Sequence, residues 1–282
     1  MIRNALTVDV EDYFHVSAFA GSINRSDWDD QPLRVERNTQ RLLDLFDEKQ
    51  VKATFFVLGW VAERLPALVS EIASRGHEVA CHGYSHRLVY DQKPEVFREE
   101  TLRSKSILED IIQSAVYGYR AASYSITERS RWALDTIAEA GFSYDSSIFP
   151  IHHDRYGMPG TNEYPYQLVT PAGYPLVEFP LSTAKLLGYR VPVAGGGYFR
   201  LYPYVVTRFG LSQINREDQP FIFYLHPWEI DPDQPRVAAG WVSRFRHYNN
   251  LDKCEPRLHR LINDFQFCAA VDVLNELGLL SE

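Results

Sequence analysis

The sequence has no apolar run that approaches the roughly 20 residues needed by a membrane-spanning helix, so no membrane span is predicted. It has only three cysteines, Cys81, Cys254 and Cys268, and no CxxC pair. An odd, unpatterned set of cysteines favours a reducing compartment over a disulfide framework. No apolar segment ending in a small-residue cleavage site follows the N-terminus, which predicts a cytoplasmic location.

Positive charge is also sparse. The chain has 29 Lys and Arg residues against 37 Asp and Glu, a net charge of -8, and its basic residues are scattered. A stripe of basic residues that could neutralise phosphates is missing, so nucleic acid is not expected as a partner. The composition, with 45% hydrophobic and 23% charged residues, is typical of a globular protein with a sizeable core. We expect a single domain over residues 1–282.

Short apolar segments rich in β-branched and aromatic residues alternate with longer segments of helical spacing. Because a helical crossover returns the chain in the same direction, this alternation predicts an α/β fold with parallel strands. Residues 146–203 interrupt it with many prolines and a glycine run, which predicts long loops that build a binding surface. Strands are predicted near 5–10, 53–58, 78–81, 116–120, 142–144 and 221–225, and helices near 35–49, 61–75, 94–112, 130–140, 203–215, 256–265 and 271–277.

Two histidines, His82 and His86, directly follow the predicted strand 78–81. α/β barrels place their sites at the carboxyl ends of strands. If the segment turns helically, the four-residue spacing brings two ring nitrogens towards one ion. The same spacing is compatible with two loop histidines that bind nothing.

Three acidic residues, Asp9, Glu11 and Asp12, end the first predicted strand. An ion held by two imidazoles commonly takes a carboxylate as its third ligand. A second carboxylate that a neighbouring cation keeps ionised could act as a general base. These residues could instead simply cap the next turn.

A further histidine, His226, ends the strand near 221–225 and precedes Pro227. This position suits a general acid that protonates a leaving amine. The alternative is a structural histidine.

These segments resemble, in the same order, the motifs of the polysaccharide deacetylases with NodB homology, carbohydrate esterase family 4. The resemblance spans roughly residues 5–230. The matching segments are Thr7–Asp12, His82–His86, Tyr119–Tyr124, Phe142–Ser147 and Leu225–Pro227.

Some positions depart from the usual family pattern. Val10 stands where the family commonly has a second aspartate, which moves the metal carboxylate to Glu11, with Asp12 as the alternative. This arrangement is closer to the branch that contains a Helicobacter-type peptidoglycan deacetylase. Ala122 replaces a usual proline. The segments around Gly197–Arg200 and Phe245–Tyr248 are similar to those of exosortase-associated exopolysaccharide deacetylases, and about 230–282 would be a family-specific extension.

The resemblance implies a distorted (β/α)7-type barrel and a divalent metal, zinc first, with nickel or cobalt as alternatives. Glu11, His82 and His86 would bind this metal. Asp9 would be the general base, paired with Arg120, and His226 the general acid, oriented by Asp145. Candidate sugar contacts are Tyr84, Tyr124, Gly197, Tyr198 and Trp228.

The function implied is hydrolysis of N-acetyl groups on the amino sugars of a polysaccharide, an exopolysaccharide or its precursor. Two other readings remain. One is hydrolysis of another linear or cyclic amide, as in allantoinase-like relatives. The other is a non-catalytic relative that binds glycan.

Overall fold

A computed structural model describes residues 2–153, 156–186 and 188–280. The strands are β1 Arg3–Val10, β2 Thr54–Val57, β3 Glu78–Cys81, β4 Gly118–Tyr119, β5 Tyr144–Asp145, β6 Tyr166–Val169, β7 Pro175–Glu178, β8 Thr183–Leu186, β9 Tyr189–Pro192, β10 Ile222–Leu225 and β11 Gln266–Cys268. The helices are α1 Val35–Glu48, α2 Gly59–Arg64, α3 Pro66–Ser74, α4 Pro94–Ile112, α5 Trp132–Glu139, α6 Gly196–Leu201, α7 Tyr204–Arg216, α8 Trp241–Tyr248, α9 Leu251–Asp264 and α10 Ala270–Glu276.

The main sheet has the strand order β10-β1-β2-β3-β4-β5-β7-β6, and β11 also pairs with β1. All these pairings are parallel except that between β6 and β7. β8 and β9 form a separate antiparallel hairpin. Since β1 lies between β2 and β10, the sheet brings an early segment of the chain beside a late one.

Side chains alternate across β1, as a strand requires. Leu6, Val8 and Val10 point into the large core cluster that also contains the buried leucines of α1. Ala5 belongs to the second cluster, on the other face of the sheet, with Phe56 and Tyr224. Asp9 is four residues after Ala5, and side chains an even number of positions apart lie on the same face of a strand. The carboxylate of Asp9 therefore lies on the inner side of the sheet.

The inner face closes through loop contacts at the β10 edge. Ile222 N donates to Ser182 Oγ at 2.9 Å, and Tyr224 N donates to the Ala194 carbonyl at 2.9 Å. Among the described residues, the two ends of the sheet are not joined by strand pairing. The segment that follows β7 lies against β10 and fills the gap between them. The predicted α/β fold with a parallel sheet is confirmed, in the form of a distorted barrel.

Residues 146–203, predicted as long loops, contain β6 to β9 and α6, and three helices outside this segment also differ from the sequence prediction. The helix expected over 61–75 is broken between α2 and α3, because Pro66 lacks an N–H and disfavours helical geometry at Leu65. α8 was not predicted, because His247 is its only fully buried residue and its apolar side chains face outward. α9 begins at Leu251, five residues before Pro256.

None of the helices in the described part of the chain is both long enough and apolar enough to cross a membrane. The expectation of one domain over 1–282 stays a prediction.

Candidate active site

A cavity of about 420 Å³ opens at the carboxyl ends of the parallel strands. β1 delivers Asp9 and Glu11 to this edge, β3 is followed by His82 and His86, and β10 is followed by His226. All five side chains line the same cavity. Asp9 and His226 are more than 200 residues apart in the sequence, and they meet here because parallel strands end at a common edge.

Glu11, His82 and His86 form a cluster whose possible ligand atoms all lie within 4.8 Å of one another. His86 Nε2 is 2.8 Å from Glu11 Oε2, which is buried. His82 Nδ1 lies 2.8 Å from the Arg120 carbonyl. Donation to that carbonyl fixes the tautomer of His82 and leaves its Nε2 lone pair for another partner. The donor set of two imidazoles and one carboxylate fits a divalent ion.

The local backbone is shaped to bring the two rings together. Gly83 has φ 70°, which suits glycine, and His86 has φ 49°, a conformation that non-glycine residues seldom adopt. Arg25 Nε donates to the Ser85 carbonyl at 2.9 Å and supports this turn. Backbone strain of this kind is found where surrounding contacts hold a functional side chain in place.

The protonation of this cluster suits metal binding. Burial lowers the pKa of His82 to about 4, so its ring is neutral at neutral pH. Burial alone would raise the pKa of Glu11, but the His86 and His226 rings outweigh it and hold this pKa well below its usual range. A deprotonated carboxylate and a neutral imidazole are the forms that bind metals.

Asp12, the alternative metal carboxylate, has another role. Its Oδ2 accepts from Arg34 N at 2.6 Å and from Val35 N at 2.8 Å. These bonds satisfy free N–H groups at the start of α1, as a capping side chain does. The structure therefore favours Glu11, and the reading of Asp12 as a ligand is corrected.

Asp9 lies beside the cluster and is paired with Arg120. Arg120 Nη1 donates to Asp9 Oδ1 at 2.6 Å and to Thr7 Oγ1 at 2.8 Å. Both charged side chains are buried. Tyr124 OH donates to the other oxygen, Asp9 Oδ2, at 3.4 Å. The guanidinium of Arg120 therefore fixes the Asp9 carboxylate in position beside the cluster.

His226 faces both acidic residues. Its Nε2 lies 3.4 Å from Glu11 Oε1 and 3.9 Å from Asp9 Oδ2. Burial by itself would lower the pKa of His226, but the charges of Glu11 and Glu229 outweigh it and raise this pKa to about 9. A protonated His226 is thus available as a proton donor at neutral pH.

The predicted partner of His226 is wrong. Its Nδ1 is 2.6 Å from Glu229 Oε1, not near Asp145. Arg200 Nε donates to the other Glu229 oxygen at 2.5 Å. Burial would raise the pKa of Glu229, but Arg200 and His226 lower it to about 2. Glu229 and Arg200 are functional candidates that the sequence analysis missed.

Asp145 instead faces Glu178, and both are fully buried. Asp145 Oδ1 accepts from Ser147 Oγ at 2.6 Å, and Glu178 Oε1 accepts from Ile148 N at 3.0 Å. Burial raises the pKa of both carboxyl groups, that of Asp145 to about 6. Two buried carboxyls in contact share a proton, so this pair supports the loop after β5.

Four of the five predicted sugar-contact residues line the cavity: Tyr124, Gly197, Tyr198 and Trp228. Trp228 Nε1 donates to Glu11 Oε1 at 3.3 Å, so this residue also positions the acidic cluster. Tyr84 does not line the cavity. Its OH donates to Glu63 Oε2 at 2.5 Å, and Arg103 lies over its ring, which corrects its predicted role.

The glycine run serves packing as well as the cavity. Gly195 has φ 139°, and a Cβ there would lie 1.9 Å from the Tyr224 carbonyl oxygen. A Cβ at Gly196 would lie 2.7 Å from the Tyr224 ring. These two glycines let the loop lie directly against β10, whereas a Cβ at Gly197 would make only ordinary contacts, at 3.9 Å to Arg200 Nη2 and 4.0 Å to the Arg246 carbonyl oxygen.

The parallel sheet and the two-histidine, one-carboxylate cluster define an α/β protein with a candidate metal centre at its strand ends. Residues 26–144 match the polysaccharide deacetylase family, and residues 146–275 match a domain of unknown function, DUF3473. The match to the polysaccharide deacetylase family covers less than half of the chain, and it includes the segments that supply His82, His86 and Arg120.

Curated relatives agree with this family. The chain is 30% identical over 153 residues to a peptidoglycan-N-acetylglucosamine deacetylase of Bacillus cereus, a match that covers 49% of this chain and 54% of the relative. It is 29% identical over 146 residues to a peptidoglycan deacetylase of Helicobacter pylori, covering 49% and 48%. The chain spans about half the length of these curated relatives.

A solved structure supports the fold over almost the whole chain. A protein assigned as a polysaccharide deacetylase, from Mycobacterium smegmatis, superposes with a TM-score of 0.66 at 19% identity. The superposition covers 99% of this chain and 91% of the other. At this identity the likeness concerns the fold.

Proposed function

We propose that the protein is a metal-dependent hydrolase that removes acetyl groups from N-acetylated amino sugars of a polysaccharide. The observation that carries the proposal is the convergence of Glu11, His82 and His86 beside the Asp9–Arg120 pair and His226 in one cavity. The deacetylase names of the curated relatives support the substrate class.

Glu11, His82 and His86 would hold the ion, with zinc as the first candidate and nickel or cobalt as alternatives. A bound divalent ion would supply a Lewis acid for the acetamide carbonyl. Asp9, positioned by Arg120, takes a proton from the attacking water. His226 gives a proton to the departing amine nitrogen, so that the C–N bond breaks and acetate and a free amine result.

Glu229 and Arg200 hold His226 for this step. Since Glu229 Oε1 contacts Nδ1, the other ring nitrogen, Nε2, is directed into the cavity. For the substrate we propose an exopolysaccharide or its precursor, because the segments around Gly197 and Phe245 resemble those of exopolysaccharide deacetylases. Both segments contribute to the cavity wall.

The test is acetate release from N-acetylglucosamine oligomers, peptidoglycan and an N-acetylated exopolysaccharide, with and without a chelator. We expect chelation to abolish release and added zinc to restore it. His86→Ala should lose both bound metal and activity, while His259→Ala, on α9 outside the cavity, should keep both. Full activity in chelator, or unchanged metal content in His86→Ala, would refute the ligand assignment.

The same assay separates the other readings. Release of product from a small cyclic amide such as allantoin, with no acetate from any glycan, would favour the allantoinase-like alternative. Glycan binding without turnover in the metal-loaded protein would favour a non-catalytic relative.

A further inference from the structure

α8 carries exposed aromatic side chains at the edge of the catalytic cavity. Trp241 is 77% exposed and Phe245 is 46% exposed, although large apolar side chains are ordinarily buried. Their rings lie 5.7 Å apart and are inclined by only 19°. The two residues are four positions apart, so they lie on one face of the helix, about 6 Å apart along its axis.

This aromatic face is continuous with the cavity. Phe245 and Asn249 both line the cavity that contains Asp9 and His226. Trp241 and Phe245 share one face of α8, and Asn249 directly follows the end of the helix, so the stripe formed by the two rings runs from the cavity outward. A linear molecule whose reacting unit lies in the cavity would extend along this stripe.

The segment that contains α8 concentrates positive charge. Residues 234–251 contain Arg236, Arg244 and Arg246 and no Asp or Glu, in a chain whose net charge is -8. Arg236 lies over the Tyr248 ring. Arg244 and Arg246 are exposed, and among the described residues no carboxylate forms an ion pair with either side chain. Guanidinium groups bind carboxylates readily.

The helix is also held firmly, as a binding platform should be. Buried Arg200 donates to three carbonyls at the end of α8, those of Arg246, His247 and Asn249, at 2.7 to 3.1 Å. His247 stacks on Trp228 with ring centroids 4.1 Å apart. These contacts fix α8 relative to the residues around the acidic cluster.

We propose that α8 forms an outer subsite for the polysaccharide chain, in which Trp241 and Phe245 stack against sugar rings and Arg244 and Arg246 favour sugars that carry carboxylates. Pyranose rings present apolar C–H faces that pack well on aromatic rings. The inference rests on the proposed function, since it extends the same substrate beyond the reacting sugar. A short helix with aromatic and arginine side chains could also lie on a membrane surface. Glycan is favoured because the stripe begins inside the catalytic cavity.

Binding of oligosaccharides by the whole chain tests the proposal, with metal chelated to prevent turnover. The ligands are N-acetylglucosamine, chitohexaose and a hyaluronan hexasaccharide, measured by isothermal titration. We expect Trp241→Ala to weaken both hexasaccharides by about fivefold and to leave the monosaccharide unchanged. The matched control is Tyr189→Ala, because Tyr189 is also 77% exposed but lies on β9, away from the cavity. Thermal unfolding should be the same in both variants.

Arg244→Gln tests the charge preference. It should weaken binding of the hyaluronan hexasaccharide by about threefold at low salt and leave chitohexaose unchanged. Equal effects of Trp241→Ala and Tyr189→Ala, or no binding of any hexasaccharide, would overturn the outer subsite. Trp241-dependent sedimentation with phosphatidylglycerol vesicles, with glycan affinity unaltered, would assign the helix to a membrane instead.

The outcome for the subsite is independent of catalysis. A protein that binds hexasaccharides through Trp241 but releases no acetate when loaded with metal would retain the subsite and refute the proposed function.

Discussion

Replacing Glu229 with Gln should disable the proposed general acid while changing few atoms. Glu229 is fully buried: one oxygen accepts from Arg200 Nε at 2.5 Å, and the other accepts from His226 Nδ1 at 2.6 Å and from the His226 backbone N at 3.2 Å. A Gln amide has one oxygen and one NH2 group. The permanently charged Arg200 requires the oxygen, so the NH2 group would face His226 Nδ1. That arrangement allows only the neutral imidazole and excludes the charged form that gives up a proton readily.

The size of the effect follows from these contacts. General acid catalysis typically contributes about 100-fold to 10,000-fold, so we expect kcat for Glu229→Gln to fall at least about 100-fold with little change in KM. Breaking a buried ion pair costs about 3 kcal/mol or more, and the remaining Arg200–Gln contact should reduce this to about 2 kcal/mol. Steady-state acetate release gives the first quantity, and urea unfolding followed by circular dichroism gives the second.

The control for this prediction is Glu178→Gln, another buried carboxylate replaced by its amide but away from His226. It should leave kcat nearly unchanged. A folded Glu229→Gln protein whose kcat lies within twofold of the wild type would refute the role of Glu229 in positioning His226.

Two further predictions concern other buried carboxylates. Asp9→Asn should keep bound metal but lower kcat by about 100-fold or more, because the amide cannot accept the proton of the attacking water. Metal analysis and acetate release measure the two effects. A fully active variant would contradict the role of Asp9 as the base. The second prediction concerns Asp145 and Glu178, whose pKa values are raised in the folded protein, that of Asp145 from 3.8 to about 6. The fold prefers the protonated form, so the free energy of unfolding should fall as pH rises from about 4 through 6. Glu178→Gln should reduce that fall, as measured by urea unfolding at pH 5 and pH 8, and an unchanged pH dependence would argue against proton sharing.

The sequence predicted those parts of the site that depend on local patterns. His82 and His86 could be located because an apolar strand directly precedes them, and strand ends in α/β folds share one edge. Asp9 and Glu11 lie two residues apart at the end of β1, and β1 was recognisable from its apolar alternation. For these residues, position along a strand was enough to indicate position in space.

The partner of His226 required information that local patterns do not hold. Arg200 is 29 residues from Glu229 along the chain and reaches it through tertiary packing alone. Glu229 did leave a signal, because it stands three residues after His226, the spacing of a capping box, and His226 N donates to it at 3.2 Å. Asp145 was chosen instead through the family resemblance, and its burial against Glu178 depends on β7, which the proline-rich segment obscured.

The pairing of β1 with β10 also determines when the site can form. During synthesis β1 leaves the ribosome early, carrying Asp9 and Glu11, whereas His226 and the α8 carbonyls held by Arg200 emerge more than 200 residues later. Folding of the N-terminal strands alone gives a nascent chain with acidic groups and histidines but without their proton donor. The proposed base, metal ligands and acid are therefore all in place only after the C-terminal third of the chain has been made and packs against β1.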